Sequence, residues 1–468
     1  MTLTPSPRHK THQPPSTTTN VNAVSSGGEL SSSLIWAAYC TGHIQVAQRE
    51  GATVTEEEIQ ALLPALEEYH ARFHRFFCRS EGRELSRKYL MGLALPIERK
   101  NVENIAEQVG GTPRTLQVWL SDSPWDEQGC IAEIQRVMGE QFGAPNGVLI
   151  FDDTGFVKKG TQSAGVGRQY SGTLGRTDNC QVGVFMGYAS GHGHTLVDCR
   201  LYLLRSWLDD PEKRQSARAA VPRGVGFKTK LELASEMLRD AADRGALPFQ
   251  WVAGDAAYGD SHDLRRQVAE LGRWYCFEVS KNSEVWTTDP NWQIPPSGKA
   301  GRPRSRPRPG PESAPAQTVE VIVRALPQTE WLRHRVTEGE KGPREYEFVR
   351  LRVVEKNDHV PGRSGWLMAR RPVGSDATAE IKFFLSNAPE TVALAEMAWV
   401  GCLRWTIEED FELAKGEVGL DQYEVTKYRG WYHHMTMCLI ALSFLKAVQG
   451  EWGKKRIARL SPRSASAA

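Results

Sequence analysis

The 468-residue sequence predicts an α/β protein whose mixed sheet, flanked by helices, lies between two helical segments. Three observations predict it. Apolar residues recur at i, i+3 and i+4 before residue 145 and again after residue 390. Between Gly147 and Asp260 the apolar runs and one amphipathic run read strand, strand, strand, helix, strand. From about Trp274 to Ser386 strand-like runs dominate. At roughly 100–200 residues per domain, the length implies two to four packing units. A hydrophobic fraction of 40% and a charged fraction of 24% exclude wholly disordered, collagen-like and coiled-coil chains.

Residues 1–32 are rich in Ser, Thr and Pro and poor in large apolar side chains, so they cannot offset their ordering entropy and are expected to be a disordered leader. Residues 33–145 read as a helical domain, with EEEIQALLPALEEYHARFHRFF as its clearest periodic run. In NVENIAEQVGGTPRTLQVWL, two short amphipathic segments flank Gly110-Gly111, with Thr112 placed as N-cap and Pro113 at the first helical position. This pair is either an ordinary helical hairpin or a helix-turn-helix offering Arg114, Thr115 and Gln117 to a DNA groove.

Residues 146–284 form the first part of the core. GVLIFDD (147–153), QVGVFMGYA (181–189) and HTLVDCRLYLL (194–204) read as strands, and KTKLELASEMLRDAADR (228–244) reads as a helix stopped by Gly245. QWVAGDAAYGD (250–260) is another buried strand ending in an acid. Residues 285–390 are a β-rich insertion with TVEVIVRAL, EYEFVRLRVV, GWLMARR and EIKFFLS as strand candidates, interrupted by a basic Pro/Arg loop at 295–316. Within that loop KAGRPRSRPRPG is either a nonspecific basic linker or an arm for the minor groove of DNA. Residues 391–450 return to helical periodicity, broken near Gly416 to Tyr423, and 451–468 are a basic tail. MTMCLIALSFLKAV (435–448) is too short to span a bilayer and reads as a core helix.

A net charge of +2 excludes a polycation that binds nucleic acid by bulk charge, so any nucleic-acid surface must be local. The eight cysteines include no CxxC pair, which excludes a zinc ribbon and a redox motif. With no signal-like apolar stretch at the N-terminus, a cytoplasmic protein is expected. His192 and His194 in Gly-His-Gly-His read as a polar turn, since no third nitrogen or sulfur ligand is near in sequence.

Three acids have settings suited to chemistry. Asp153 ends one buried strand, Asp255 ends another, and Glu408 lies in RWTIEEDFELAK. Carboxylates at the ends of neighbouring strands repel one another unless a cation lies between them. Such hard oxygen donors suit Mg²⁺ or Mn²⁺, and two ions can serve the attacking and leaving oxygens of phosphoryl transfer. Arg404, Glu408 and Lys415, spaced four and seven apart, line one face of a helix; this is a phosphate-gripping stripe or a solvated ion-pair helix. Glu409 falls off that stripe and reads as structural.

The run FDDTGFVKKGTQSAGVGRQYSGTLGRTDNCQVGVFMGYAS, with VAGDAAYGD and RWTIEEDFELAKGEVGLDQYEVTKYRGWYHH, resembles the DDE transposases of bacterial insertion sequences. The resemblance is to the insertion-sequence 701 family, within the broader insertion-sequence 4 group. It implies an RNase H-like core with the first acid on the first strand, the second on the fourth and the glutamate on a later helix. It favours Asp153 over Asp152, because the metal-binding acid in similar transposases directly precedes Thr, and strand alternation sends Asp152 to the opposite face. The related group's motif of Tyr, Arg, Glu and Lys is matched by Arg404, Glu408 and Lys415, while the tyrosine position is Gly401.

The implied activity is cut-and-paste transposition: binding of terminal inverted repeats in double-stranded DNA, metal-dependent cleavage, then strand transfer by direct transesterification. Asp153, Asp255 and Glu408 hold two Mg²⁺ (or Mn²⁺) ions, and a homodimer brings the two ends together. Arg404 and Lys415 position phosphates. The run from Lys158 to Arg176 has four basic residues, five glycines and no acid, so Lys158, Lys159 and Arg168 are expected on the DNA backbone. Trp405 either stacks on a base or packs in the core. The alternatives are a non-catalytic regulator derived from a transposase and a metal-free hydrolase with paired carboxylates.

Overall fold

The computed structural model describes residues 62–172, 175–296, 305–339, 342–357, 361–375 and 379–460. The expected leader (1–32), residues 33–61 of the helical domain, 297–304 of the basic loop and 461–468 of the tail lie outside the described residues. Among the described residues five α-helices come first: α1 (Leu62–Ala71), α2 (Ser80–Ala94), α3 (Val102–Val109), α4 (Pro113–Asp122) and α5 (Glu127–Phe142). The turn between α3 and α4 follows from its residues. Gly110 and Gly111 adopt φ of 72° and 136°, values open to glycine, and Thr112 then caps α4 by accepting the Thr115 N–H, with Pro113 in the first turn. Ile105, Leu116, Trp119 and Leu120 are buried, while Arg114 and Thr115 face solvent.

The core strands are β1 (Val148–Val157), β2 (Gly167–Ser171), β3 (Arg176–Ser190), β4 (Gly193–Tyr202), β5 (Trp251–Gly254) and β6 (Trp274–Val279). β3 lies antiparallel between β1 and β4, and β1, β5 and β6 run parallel, which gives the order β4-β3-β1-β5-β6. The expected RNase H-like mixed sheet is the one observed. Between β4 and β5 runs α6 (Lys230–Arg244), started by a capping box of Thr229 and Glu232 and ended by Gly245 in the left-handed region. β2 is an addition to the sequence reading: part of the glycine-rich basic run pairs with β3 from Gly167↔Cys180 to Ser171↔Arg176.

After β6 come β7 (Glu284–Trp286), β8 (Gln317–Thr318), β9 (Leu332–Gly339), β10 (Gly342–Glu355), β11 (Ser364–Pro372) and β12 (Lys382–Ser386). These strands continue the core sheet, because β12 pairs antiparallel with β6 and the order runs on through β11, β10 and β7 to β8. One expected strand is corrected. TVEVIVRAL contains the helix α7 (Val319–Arg324), because Thr318 caps the Val321 N–H, Glu320 bonds Arg324 one turn on, and Val319, Ile322 and Val323 bury one helical face. A β-branched run thus carries helical period and helical caps, and these outweigh its strand propensity.

The chain closes with α8 (Leu394–Leu403), α9 (Trp405–Val418) and α10 (Tyr428–Leu460). α10 packs against β4, α5, α4 and α2, and buries Trp431, Met435, Met437, Cys438, Leu439, Ile440 and Leu442, as expected of a core helix. Among the described residues no helix is long and apolar enough to cross a membrane. Two buried histidines tie α10 to its neighbours. His434 accepts from the Tyr89 hydroxyl at 2.9 Å and faces the Gly419 carbonyl at 3.2 Å, so Nε2 carries its proton. His433 donates from Nδ1 to the Leu120 carbonyl at 2.8 Å.

Burial disfavours the imidazolium and lowers both histidine pKa values from 6.5 to about 3. The unfolded chain therefore binds protons first. Their contribution to stability is complete above about pH 6.5 and is lost as pH falls toward 3, at roughly 1.4 kcal/mol per pH unit for each histidine. Melting temperature should fall between pH 7 and 5, with a shallower slope in a His433→Asn, His434→Asn double variant. An equal slope in that variant contradicts the assignment.

Candidate active site

Asp152 and Asp153 lie in mid-sheet, opposite Phe185 and Val184 of β3. Their side chains leave opposite faces of β1, as a period of two requires. Asp255 follows β5, whose last residue Gly254 pairs with Phe151 just before the two acids. It caps the single helical turn Ala256–Gly259, accepting the Ala257 N–H at 3.0 Å and the Tyr258 N–H at 3.4 Å. The carboxylate is thereby fixed at the sheet's C-terminal edge.

Helix α9 covers the face of β1 that carries Asp152 and Thr154. Lys415 Nζ donates to Thr154 Oγ1 at 2.9 Å. Arg404, at the break between α8 and α9, places Nη2 2.6 Å from Glu408 Oε1 and Nη1 3.5 Å from Asp152 Oδ2. Its Nε lies 3.9 Å from Glu278 Oε2. Arg404 and Lys415 thus both reach side chains of β1, and Glu408 pairs with Arg404.

The geometry gives the two neighbouring acids different partners, and the Asp153 charge also reaches Asp255. Asp153 pairs with Lys230 Nζ of α6 at 2.8 Å, whereas Asp152 shares the face of Arg404 and α9. The preceding acid, not the one adjoining Thr154, meets the glutamate's helix. Burial and then the Asp255 charge push the Asp152 carboxyl up to about 7, against the pull of the Asp153 N–H and Arg404. Burial also raises Asp255, opposed by the Tyr258 N–H and Arg404. Burial alone would lower the Arg404 pKa, but Glu408, Asp152 and Glu278 outweigh it and hold the guanidinium above its ordinary value. Tyr258, wholly buried, is raised by burial and by the charges of Asp153, Asp152 and Asp255 around it.

Among the described residues no three acids, histidines or cysteines stand close enough together to hold a metal ion. Glu408 is 54% exposed and pairs with Arg404. The donor set itself fits a divalent cation. It is all oxygen, and a bound cation would offset the burial and the Asp255 charge that together raise Asp152.

The other expected site residues divide. Lys159, Arg168 and Arg114 are exposed, and Trp405 is half-buried. Lys158 is half-buried: its ammonium sits 3.4 Å from the centre of the Tyr423 ring and donates to the Tyr423 carbonyl at 2.9 Å, and burial lowers its pKa to about 8. Gly401 lies buried in α8, where even a Cβ would meet Met368 Cε at 3.0 Å, so a tyrosine does not fit there. His192 lies in the turn joining β3 and β4, as expected, and His194 begins β4 and bonds Asp410 at 2.9 Å, with Glu409 at 3.7 Å.

Sequence reasoning missed Lys230, Tyr258 and Glu278. A signal existed for Glu278, the lone charged residue in the apolar strand WYCFEV. Register supplies the rest: Phe277 pairs with Gly254, so Glu278 is level with Asp255.

A family described as DDE superfamily endonuclease matches residues 68–343, more than half of the chain. The match includes Asp152, Asp153 and Asp255 and ends before Glu408. The chain is also 33% identical over 202 residues to "Probable transposase for insertion sequence element IS701" of Microchaete diplosiphon, covering 42% of this chain and 49% of the relative. The chain thus spans about half the length of that relative.

Removing the Asp152 charge should stabilise the protein. Its raised pKa means that the folded state loses stability as pH rises from about 4 through 7, and an asparagine carries no such cost. Asp152→Asn should raise the melting temperature by a few degrees at pH 8, about the scale of 1–3 kcal/mol in a chain this long. The gain should shrink by pH 5, and a lower melting temperature at pH 8 contradicts the account.

Proposed function

Because the chain belongs to the DDE superfamily of endonucleases, we propose that it is an insertion-sequence transposase whose cleavage acids are Asp152, Asp255 and Glu408. One observation carries the reading: Asp152 and Asp255 crowd their charges at one sheet edge, and Arg404 links Asp152 to Glu408 on α9. Arg404 thereby contacts two of the three acids, and its charge also reaches Asp255. The relative described as a transposase supports the substrate class, double-stranded DNA at an element's ends.

The three carboxylates would hold Mg²⁺ or Mn²⁺, ions that when bound activate an attacking oxygen and stabilise the leaving oxygen of a phosphodiester. The protein's own residues do the rest. Asp255 keeps its orientation through the two backbone N–H groups it accepts, so it needs no reorganisation at the moment of reaction. Glu408 must leave Arg404 to join the other acids, and the freed guanidinium then has two terminal nitrogens for the non-bridging oxygens of the scissile phosphate. Lys415, held by Thr154, adds a second cation on the same stripe. Water opens the strand and leaves a 3′-hydroxyl, which then attacks a target phosphodiester directly, so no covalent enzyme intermediate forms. Lys159 before β2, Arg168 on β2 and Arg114 on α4 offer exposed cations to the DNA backbone. A homodimer would bring the two ends together.

The test is cleavage of a duplex carrying the inverted repeats that flank the coding region, with Mg²⁺ present. Asp152→Ala, Asp255→Ala and Glu408→Ala should each lose about a hundredfold or more in rate, the scale of removing a group that stabilises transition-state charge. Each should still shift the duplex in a gel. Asp153→Ala should retain cleavage. Full cleavage by Asp152→Ala with loss in Asp153→Ala returns the role to Asp153, and full cleavage by all three core variants overturns the reading.

A further inference from the structure

Glu278 has no part in the chemistry described above, yet it is built into the same site. Its side chain is 16% exposed. One oxygen, Oε1, accepts from Lys382 Nζ of β12 at 2.9 Å, while Oε2 faces Arg404 Nε at 3.9 Å. Arg404 therefore turns each of its three nitrogens toward a different carboxylate: Nη2 to Glu408, Nη1 to Asp152 and Nε to Glu278. Two of those acids belong to the proposed cation site and the third does not.

A guanidinium cannot lose its proton in a protein, so Arg404 is an internal cation competing with any divalent ion for Asp152 and Glu408. Moving it aside leaves a charge in a half-buried place, which is costly unless a carboxylate stays with it. We infer that Glu278 is a positioning residue that retains Arg404 by its Nε edge when Asp152 and Glu408 turn to a divalent cation. The inference rests on the reading of those acids as a cation site. A role for Glu278 as a further ligand fits less well, because Lys382 already holds the oxygen turned away from Arg404. The same ammonium nearly cancels the charge of Glu278 at longer range, so its direct field on the site is small.

The test is Mn²⁺ titration of the full chain without DNA, followed by the electron paramagnetic resonance of free Mn²⁺. Wild type, Glu278→Gln, Arg404→Gln and the double variant are compared, with melting temperatures to show that each is folded. Arg404→Gln removes the competitor and should tighten Mn²⁺ binding about five-fold, while Glu278→Gln should weaken it about five-fold, within the coupling range of side chains in one ion-pair network. In the Arg404→Gln background, Glu278→Gln should change the affinity by less than about two-fold. Lys382→Met frees Glu278 for Arg404 and should move affinity the opposite way from Glu278→Gln. An equal loss from Glu278→Gln in both backgrounds, or no loss in wild type, overturns the inference alone. Absence of Mn²⁺ binding by the wild-type chain overturns the cation site and the inference with it.

Discussion

Two like-charged carboxylates at one sheet edge impose the constraint on which the rest of this site depends. Asp152 and Asp255 lie on and after parallel neighbouring strands, and burial beside Asp255 pushes the Asp152 carboxyl up to about 7. Such a pair is unfavourable unless positive charge stands nearby. In this chain the positive charge is Arg404, placed at the break between α8 and α9 and shared among Glu408, Asp152 and Glu278. The fold thus keeps a repulsive arrangement that packing alone would remove, as functional sites commonly do.

The scaffold makes this arrangement rigid. β1 is bordered on both sides, by antiparallel β3 and parallel β5, so its two acids cannot shift register without moving buried side chains. The insertion strands reinforce the far side, because β12 pairs with β6 and sets Lys382 against Glu278. A segment lying between the second and third acids in sequence thereby reaches the site through one ion pair. On the opposite face, Lys230 of α6 neutralises Asp153. Adjacent acids in one strand accordingly have separate cations and separate surroundings.

Much of the fold was legible in the sequence because hydrophobic periodicity reports burial. The strand, strand, strand, helix, strand order, the cap at Thr112, the stop at Gly245 and the core helix around Met435 are all observed. Alternation says that Asp152 and Asp153 face opposite ways but not which face the distant helix covers. That depends on where α9 docks, a tertiary fact expressed in the Lys415 to Thr154 bond. The charge of Lys158 points to solvent in the sequence, while Tyr423, 265 positions away, takes its ammonium inward. TVEVIVRAL misled because β-branched content spoke for a strand while its caps and the spacing of its buried residues spoke for a helix.

The most direct measurement is the anomalous scattering of Mn²⁺ in crystals of the protein. The account predicts a peak between the Asp152 and Asp255 carboxylates, with Glu408 released from Arg404 and turned toward the ion. A peak on Asp153 beside Lys230, with Asp152 still facing Arg404, contradicts it.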